Sequence, residues 1–92
     1  MIHVLREDER LAIVRLGKYQ GLKGPGIVPY LPIVDLTMRL RVGDVGNLMT
    51  GELALFGTMT IPVVGNELSG SQVRIVGFEE SIEPSRPIVV PV

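Results

Sequence analysis

Ninety-two residues at 46% hydrophobic content and a net charge of −1 describe one folded domain, near the lower limit for a self-sufficient core and too apolar for a disordered tail. The absence of cysteine excludes disulfides, thiolate metal sites and thiol nucleophiles, and the single histidine, His3, cannot build a metal site alone. No run approaches the roughly 18 apolar residues of a membrane span and no secretory signal is legible, which predicts a cytoplasmic chain, at most peripheral to a membrane.

Eleven glycines and seven prolines argue for many short strands and turns. Charge is uneven along the chain. Through Val42, seven basic residues stand against four acidic ones; beyond it, two stand against six. This shift divides the sequence into a basic segment, 1–42, and an acidic one, 43–92, within one compact unit.

Taken in order, Met1 to Leu5 reads as a short strand, and Arg6 to Arg10 as a charged turn or solvated edge. In Leu11 to Leu16, Leu11 and Ile13 face one way and Ala12, Val14 and Leu16 the other, as in a strand. Leu16 to Pro32 carries Gly17, Gly21, Gly24 and Gly26 with Pro25, Pro29 and Pro32. No helix survives that density of breakers, so the stretch reads as a long, shaped turn between two strands. The prolines in Ile27 to Val34 limit that run to an edge strand or extended connection. Leu36 to Val42 alternates cleanly, with Leu36, Met38, Leu40 and Val42 on one face and Thr37, Arg39 and Arg41 on the other. Its arginines are expected in solvent or on a partner.

Gly43 to Asn47 is turn-rich, and without a following lysine or a strand–loop–helix unit it is no phosphate loop. Leu53 to Val64 reads as one long strand with a bulge at Gly57. A turn at Val64 to Glu67, a strand at Val73 to Val76 and a last strand at Ile88 to Val90 complete the pass. Pro84, Pro87 and Pro91 suit an edge. The pattern predicts an all-β fold of five to seven strands, closed or nearly closed as a small barrel. Leu36, Met38, Leu40, Val42, Met59, Ile61, Val73 and Ile75 form its expected core.

Chemistry is sparse. No histidine lies near a serine or carboxylate motif, and Glu79, Glu80 and Glu83 read as a solvated loop rather than an acid–base pair. The residues therefore indicate no enzyme, no cofactor and no metal. The one unusual composition is the apolar continuation of the Lys23-Gly24-Pro25-Gly26 loop. Lys18 and Lys23 flank Ile27, Val28, Tyr30 and Leu31, which suits a surface offered to a partner or a membrane, or a lid over the core.

Val4 to Val42 resembles the opening of the stomatin/prohibitin/flotillin (SPFH) domain. The matching residues are Glu9-Arg10, Arg15-Leu16-Gly17-Lys18-Tyr19, Lys23-Gly24-Pro25-Gly26 and Leu31-Pro32-Ile33-Val34-Asp35. The likeness covers about forty residues; the hydrophobic hairpin before this stretch, the rest of that α/β domain and its coiled coil are missing. Val42 to Val92 resembles the C-terminal OB-type barrel of NfeD-like membrane proteins, through Gly43-Asp44-Val45-Gly46, Thr50, Leu53, Gly57, Leu68, Gly70, Val73, Ile75 and Val76. Leu55 replaces the usual proline of that pattern.

These resemblances imply a small OB-like β-barrel carrying an SPFH-type β-hairpin. They imply a non-enzymatic interaction module of a membrane-associated scaffold, whose partner is a stomatin-like or NfeD-like membrane protein, a membrane surface or a second copy. The alternative is a soluble OB-like barrel that binds nucleic acid or another polyanion through Arg39, Arg41 and the Lys18/Lys23 loop. The paucity of aromatics and the acidic second half weigh against nucleic acid.

Overall fold

The structure, a computed structural model, describes residues 1–65 and 71–92. All regular structure in them is β, and no helix is long and apolar enough to cross a membrane. β1 (Ile2–Leu5) pairs with β4 (Gly26–Pro29) as a two-stranded ribbon. β2 (Glu9–Arg15) lies between β3 (Lys18–Lys23) and β5 (Asp35–Arg41) in a three-stranded sheet. β6 (Val45–Leu48), β7 (Leu53–Phe56), β8 (Met59–Pro62), β9 (Gln72–Glu79) and β10 (Arg86–Pro91) form a five-stranded sheet in the order β10-β9-β6-β7-β8. Every strand through Arg41 thus pairs only with others of the basic segment, and the later strands pair among themselves.

The apolar packing ignores that division. β2 alternates with period two, so Ala12 points one way and Leu11 and Ile13 the other. Ala12 joins Leu22 and Leu40 in a core completed by Ala54, Phe56, Ile61, Val73, Ile75 and Val89 from the five-stranded sheet. On the opposite face Leu11 and Ile13 meet Leu5 and Val28 of the ribbon in a second cluster. β2 is therefore covered on both faces, and the molecule is layered as ribbon, three-stranded sheet and five-stranded sheet. Arg10 adds a polar tie between layers: its Nε donates to Glu80 Oε1 at 2.8 Å, and its guanidinium lies 4.9 Å from the Phe78 ring centre.

The all-β expectation holds, and the details correct it. Ten strands form among the described residues, rather than five to seven, because the glycine- and proline-dense stretches still pair over four residues at a time. Leu16 to Pro32 is not one long turn but contains β3 and β4. Leu53 to Val64 is not one strand but the β7–β8 hairpin, with Gly57 at φ +61° opening a two-residue turn instead of a bulge. Gly43 to Asn47 gives its second half to β6. The turn expected at Val64 to Glu67, and the matches at Leu68 and Gly70, fall partly or wholly outside the described residues. The sheets do not close as a barrel, although a lone parallel bridge, Val64 to Ile88, links β10 to the chain just beyond β8. Gly46 is where β6 crosses closest to the core: a Cβ there would meet Phe56 ring carbons at 2.6 Å.

The predicted core is half right. Leu40, Ile61, Val73 and Ile75 are buried together, with Met38 and Met59 half-buried against them. Leu36 and Val42 share Leu40's face, yet both are exposed. β5 is an edge strand whose two ends run past the covering sheet, and alternation identifies a face without telling how much of it is covered. Leu40→Ala should therefore cost about 2–5 kcal/mol in denaturant unfolding. Leu36→Ala, on the same face, should stay within about 0.5 kcal/mol.

Candidate interaction surface

The surface is built outward from β2 and β5. In their antiparallel register Glu9 stands opposite Arg41, and Arg15 opposite Asp35. Both pairs carry ionic contacts of opposite polarity, one at each end of the strand pair. Glu9 is 2% exposed; its carboxylate accepts Arg41 Nη2 at 3.0 Å and the Arg6 main-chain N–H at 2.8 Å. Arg39 Nη1 adds a contact at 3.9 Å. Asp35 accepts Arg15 Nε at 2.7 Å and Nη2 at 3.0 Å in the bidentate geometry that suits guanidinium and carboxylate. Hydrogen bonds hold both carboxyls below their ordinary range: for Glu9 the Arg6 amide and then Arg41, for Asp35 the Arg15 guanidinium and then the Leu31 amide. Among the described residues no buried side-chain nitrogen or oxygen lacks a partner.

Asp35 also shapes the loop before it. Its Oδ2 accepts the Leu31 N–H at 2.8 Å, and its own N–H donates to the Leu31 carbonyl at 2.8 Å. This fixes Leu31-Pro32-Ile33 as a closed tip whose apolar side chains point away from the fold; Ile33 is 97% exposed. The Leu16 N–H donates to the Val34 carbonyl at 3.0 Å, which sets the β2–β3 turn beside this tip. That turn is Leu16-Gly17, with φ +50° and +81°, the paired positive values of a type I′ hairpin. Leucine is costly there, because its Cβ crowds the backbone in the left-handed region. It is nonetheless present, and it is 77% exposed. Met1, whose carbonyl accepts the Tyr30 N–H at 2.9 Å, and Leu36, opposite Val14, bring two more exposed apolar side chains to this end. Lys18, opposite Arg15, lies at its margin.

The ribbon continues the surface. Ile2 faces Pro29 and Val4 faces Ile27 across it, so the four share one side, and all four are exposed.

The expected surface residues divide accordingly. Lys18, Lys23, Ile27 and Leu31 are exposed. Val28 is not offered to a partner: it is buried with Leu5, Leu11 and Ile13, since it lies on the ribbon's inner side. Tyr30 is half-buried and stacks on His3 at 4.8 Å. Arg39 and Arg41 are not solvent or partner contacts alone, because both converge on Glu9. The residues missed in the sequence are Leu16, Ile33 and Leu36. A leucine immediately before glycine in a two-residue hairpin turn was the available signal for the first. Glu79 and Glu80 are engaged as well, Glu79 accepting from Ser81 and Glu80 from Arg10.

No family model matches the chain, and no curated protein or solved structure shows significant similarity to it. The surface stands on its own geometry.

Because folding lowers the pKa of Glu9 and Asp35, their contribution to stability is complete above the ordinary values of 4.5 and 3.8 and fades as pH falls toward the lower folded values. The melting temperature should hold near neutral pH and drop below about pH 4.5. Glu9→Gln should melt lower than the parent at neutral pH and lose less on acidification, as thermal scans across the two conditions will show.

Proposed function

We propose that the chain is a non-enzymatic interaction module that works at a membrane surface, as part of a scaffold of the SPFH/NfeD type. The observation that carries this reading is the end of the molecule bearing Met1, Leu16, Leu31, Ile33 and Leu36. These are large apolar side chains left in solvent by turns that are themselves firmly hydrogen-bonded. Contiguous exposed apolar surface is costly in a soluble domain and marks interaction sites. A leucine kept in the left-handed region adds a conformational cost that the fold does not need, which fits a residue retained for what it touches.

Electrostatics support the same end. Asp35 is neutralised by Arg15, while Lys18 and Lys23 extend from the neighbouring strand; a basic side chain near an anionic membrane contributes roughly 1 kcal/mol of attraction. The polyanion alternative is weaker, because Arg39 and Arg41 already share a buried carboxylate.

The reading predicts sedimentation with vesicles containing phosphatidylserine and less with phosphatidylcholine alone. Ile33→Asp should abolish that binding without lowering the melting temperature. Leu16→Asn should stabilise the fold by on the order of 1 kcal/mol while weakening vesicle binding, since asparagine tolerates the left-handed turn and removes the apolar contact. Unchanged vesicle binding in both variants would refute the proposal.

A further inference from the structure

An open groove of about 380 Å³ runs between β4 and the face of the β2–β3 sheet. Its size falls within the roughly 300–1,000 Å³ of small-molecule sites. Its apolar wall comes from Ile13, Ile27, Val28 and Pro29, and its two cations are Lys23 and Arg15. No acidic side chain lines it among the described residues.

The two cations are not equivalent. Lys23 stands opposite Leu11, while Arg15 lies four residues further along β2, about 14 Å at the rise of a strand. Arg15 has given its Nε and Nη2 to Asp35, so that end of the groove carries little net charge and offers mainly side-chain methylenes. Lys23 has no ion-pair partner among the described residues and is exposed. The groove is thus charged at one end and apolar along the rest. A main-chain donor completes the charged end. The Tyr30 N–H bonds to the Met1 carbonyl, and the alternation of an antiparallel ladder then turns the Ile27 N–H away from β1, toward the groove it lines.

We propose that this groove binds a free single-chain carboxylate of the fatty-acid class. The carboxylate sits at Lys23 and the Ile27 N–H, and the chain lies along Ile13, Val28 and Pro29 toward the methylenes of Arg15. This goes beyond attachment of the apolar end to a membrane, because it assigns a soluble ligand to a different surface. An anionic head matches the single unpaired cation, and the length between the two basic residues suits an extended medium-length chain.

Decanoate tests it in the absence of any vesicle, below its micelle concentration. Acetate serves as a head without a tail, and decanol as a tail without a charged head. Calorimetry should give one decanoate per chain, and the methyl resonances of Ile13 and Val28 should shift on titration. Lys23→Gln should weaken decanoate about tenfold and leave the weaker decanol binding unchanged. Ile27→Asp, a change at an exposed position, should abolish decanoate binding without lowering the melting temperature. Equal affinity for decanoate and decanol, equal affinity for decanoate and acetate, or shifts confined to other residues would each overturn the proposal. Ile33→Asp separates the two functional readings, since it should remove vesicle binding and leave decanoate binding intact.

Discussion

The fold depends on β2 being buried on both faces while its ends are tied to β5 by charge. Leu11, Ala12 and Ile13 are each almost fully buried, and together they reach both apolar clusters. A strand in that position is constrained, because a slip of one residue would exchange its two faces and set Ala12 against the ribbon and the larger side chains against the wrong core. The cross-strand pairs Glu9–Arg41 and Arg15–Asp35 oppose such a slip, since each charge meets its complement only in the observed register. Removing one member would leave a carboxylate enclosed without its cation, which is more costly than the intact pair is stabilising.

The same clamp connects packing to the surface. Asp35 holds Arg15 on one side and the Leu31 amide on the other, so the register of the central strands and the shape of the apolar tip share one carboxylate. The turn at Leu16 follows from it through the hydrogen bond to Val34. Fold stability and the presentation of Leu16 and Ile33 are therefore coupled through short-range contacts rather than through any moving element. The groove beside β4 is likewise fixed, by Val28 packing inward while Ile27 remains outside.

Much of this was legible in the residues, and the limits have physical causes. Alternation assigned the faces of β2 and β5 correctly, since period two is a local property of extended chain. It failed for Leu36 and Val42, because the extent of a covering sheet is set by tertiary contacts that no single strand encodes. Glycine and proline marked the turns but hid β3 and β4, since short ribbons tolerate both residue types at edges. The shift in charge near Val42 matches where sheet membership changes, yet gave no sign that one core spans both segments. Arg39 and Arg41 read as surface residues because Glu9 lies more than thirty positions away in sequence, and only the antiparallel pairing of β2 with β5 brings them together. Val28 was misplaced for a similar reason: its inward direction is fixed by pairing with His3.

Native-state hydrogen exchange, resolved by residue, tests the central role of β2 most directly. If β2 joins both clusters into one cooperative unit, the amides of Leu11, Ala12 and Ile13 will exchange only through global unfolding, with the same free energy of opening as Val73 and Ile75 in the five-stranded sheet. If those β2 amides exchange through a lower-energy opening while Val73 and Ile75 stay protected, the segments before and after Val42 unfold separately, and the account of a single structure built on β2 is contradicted.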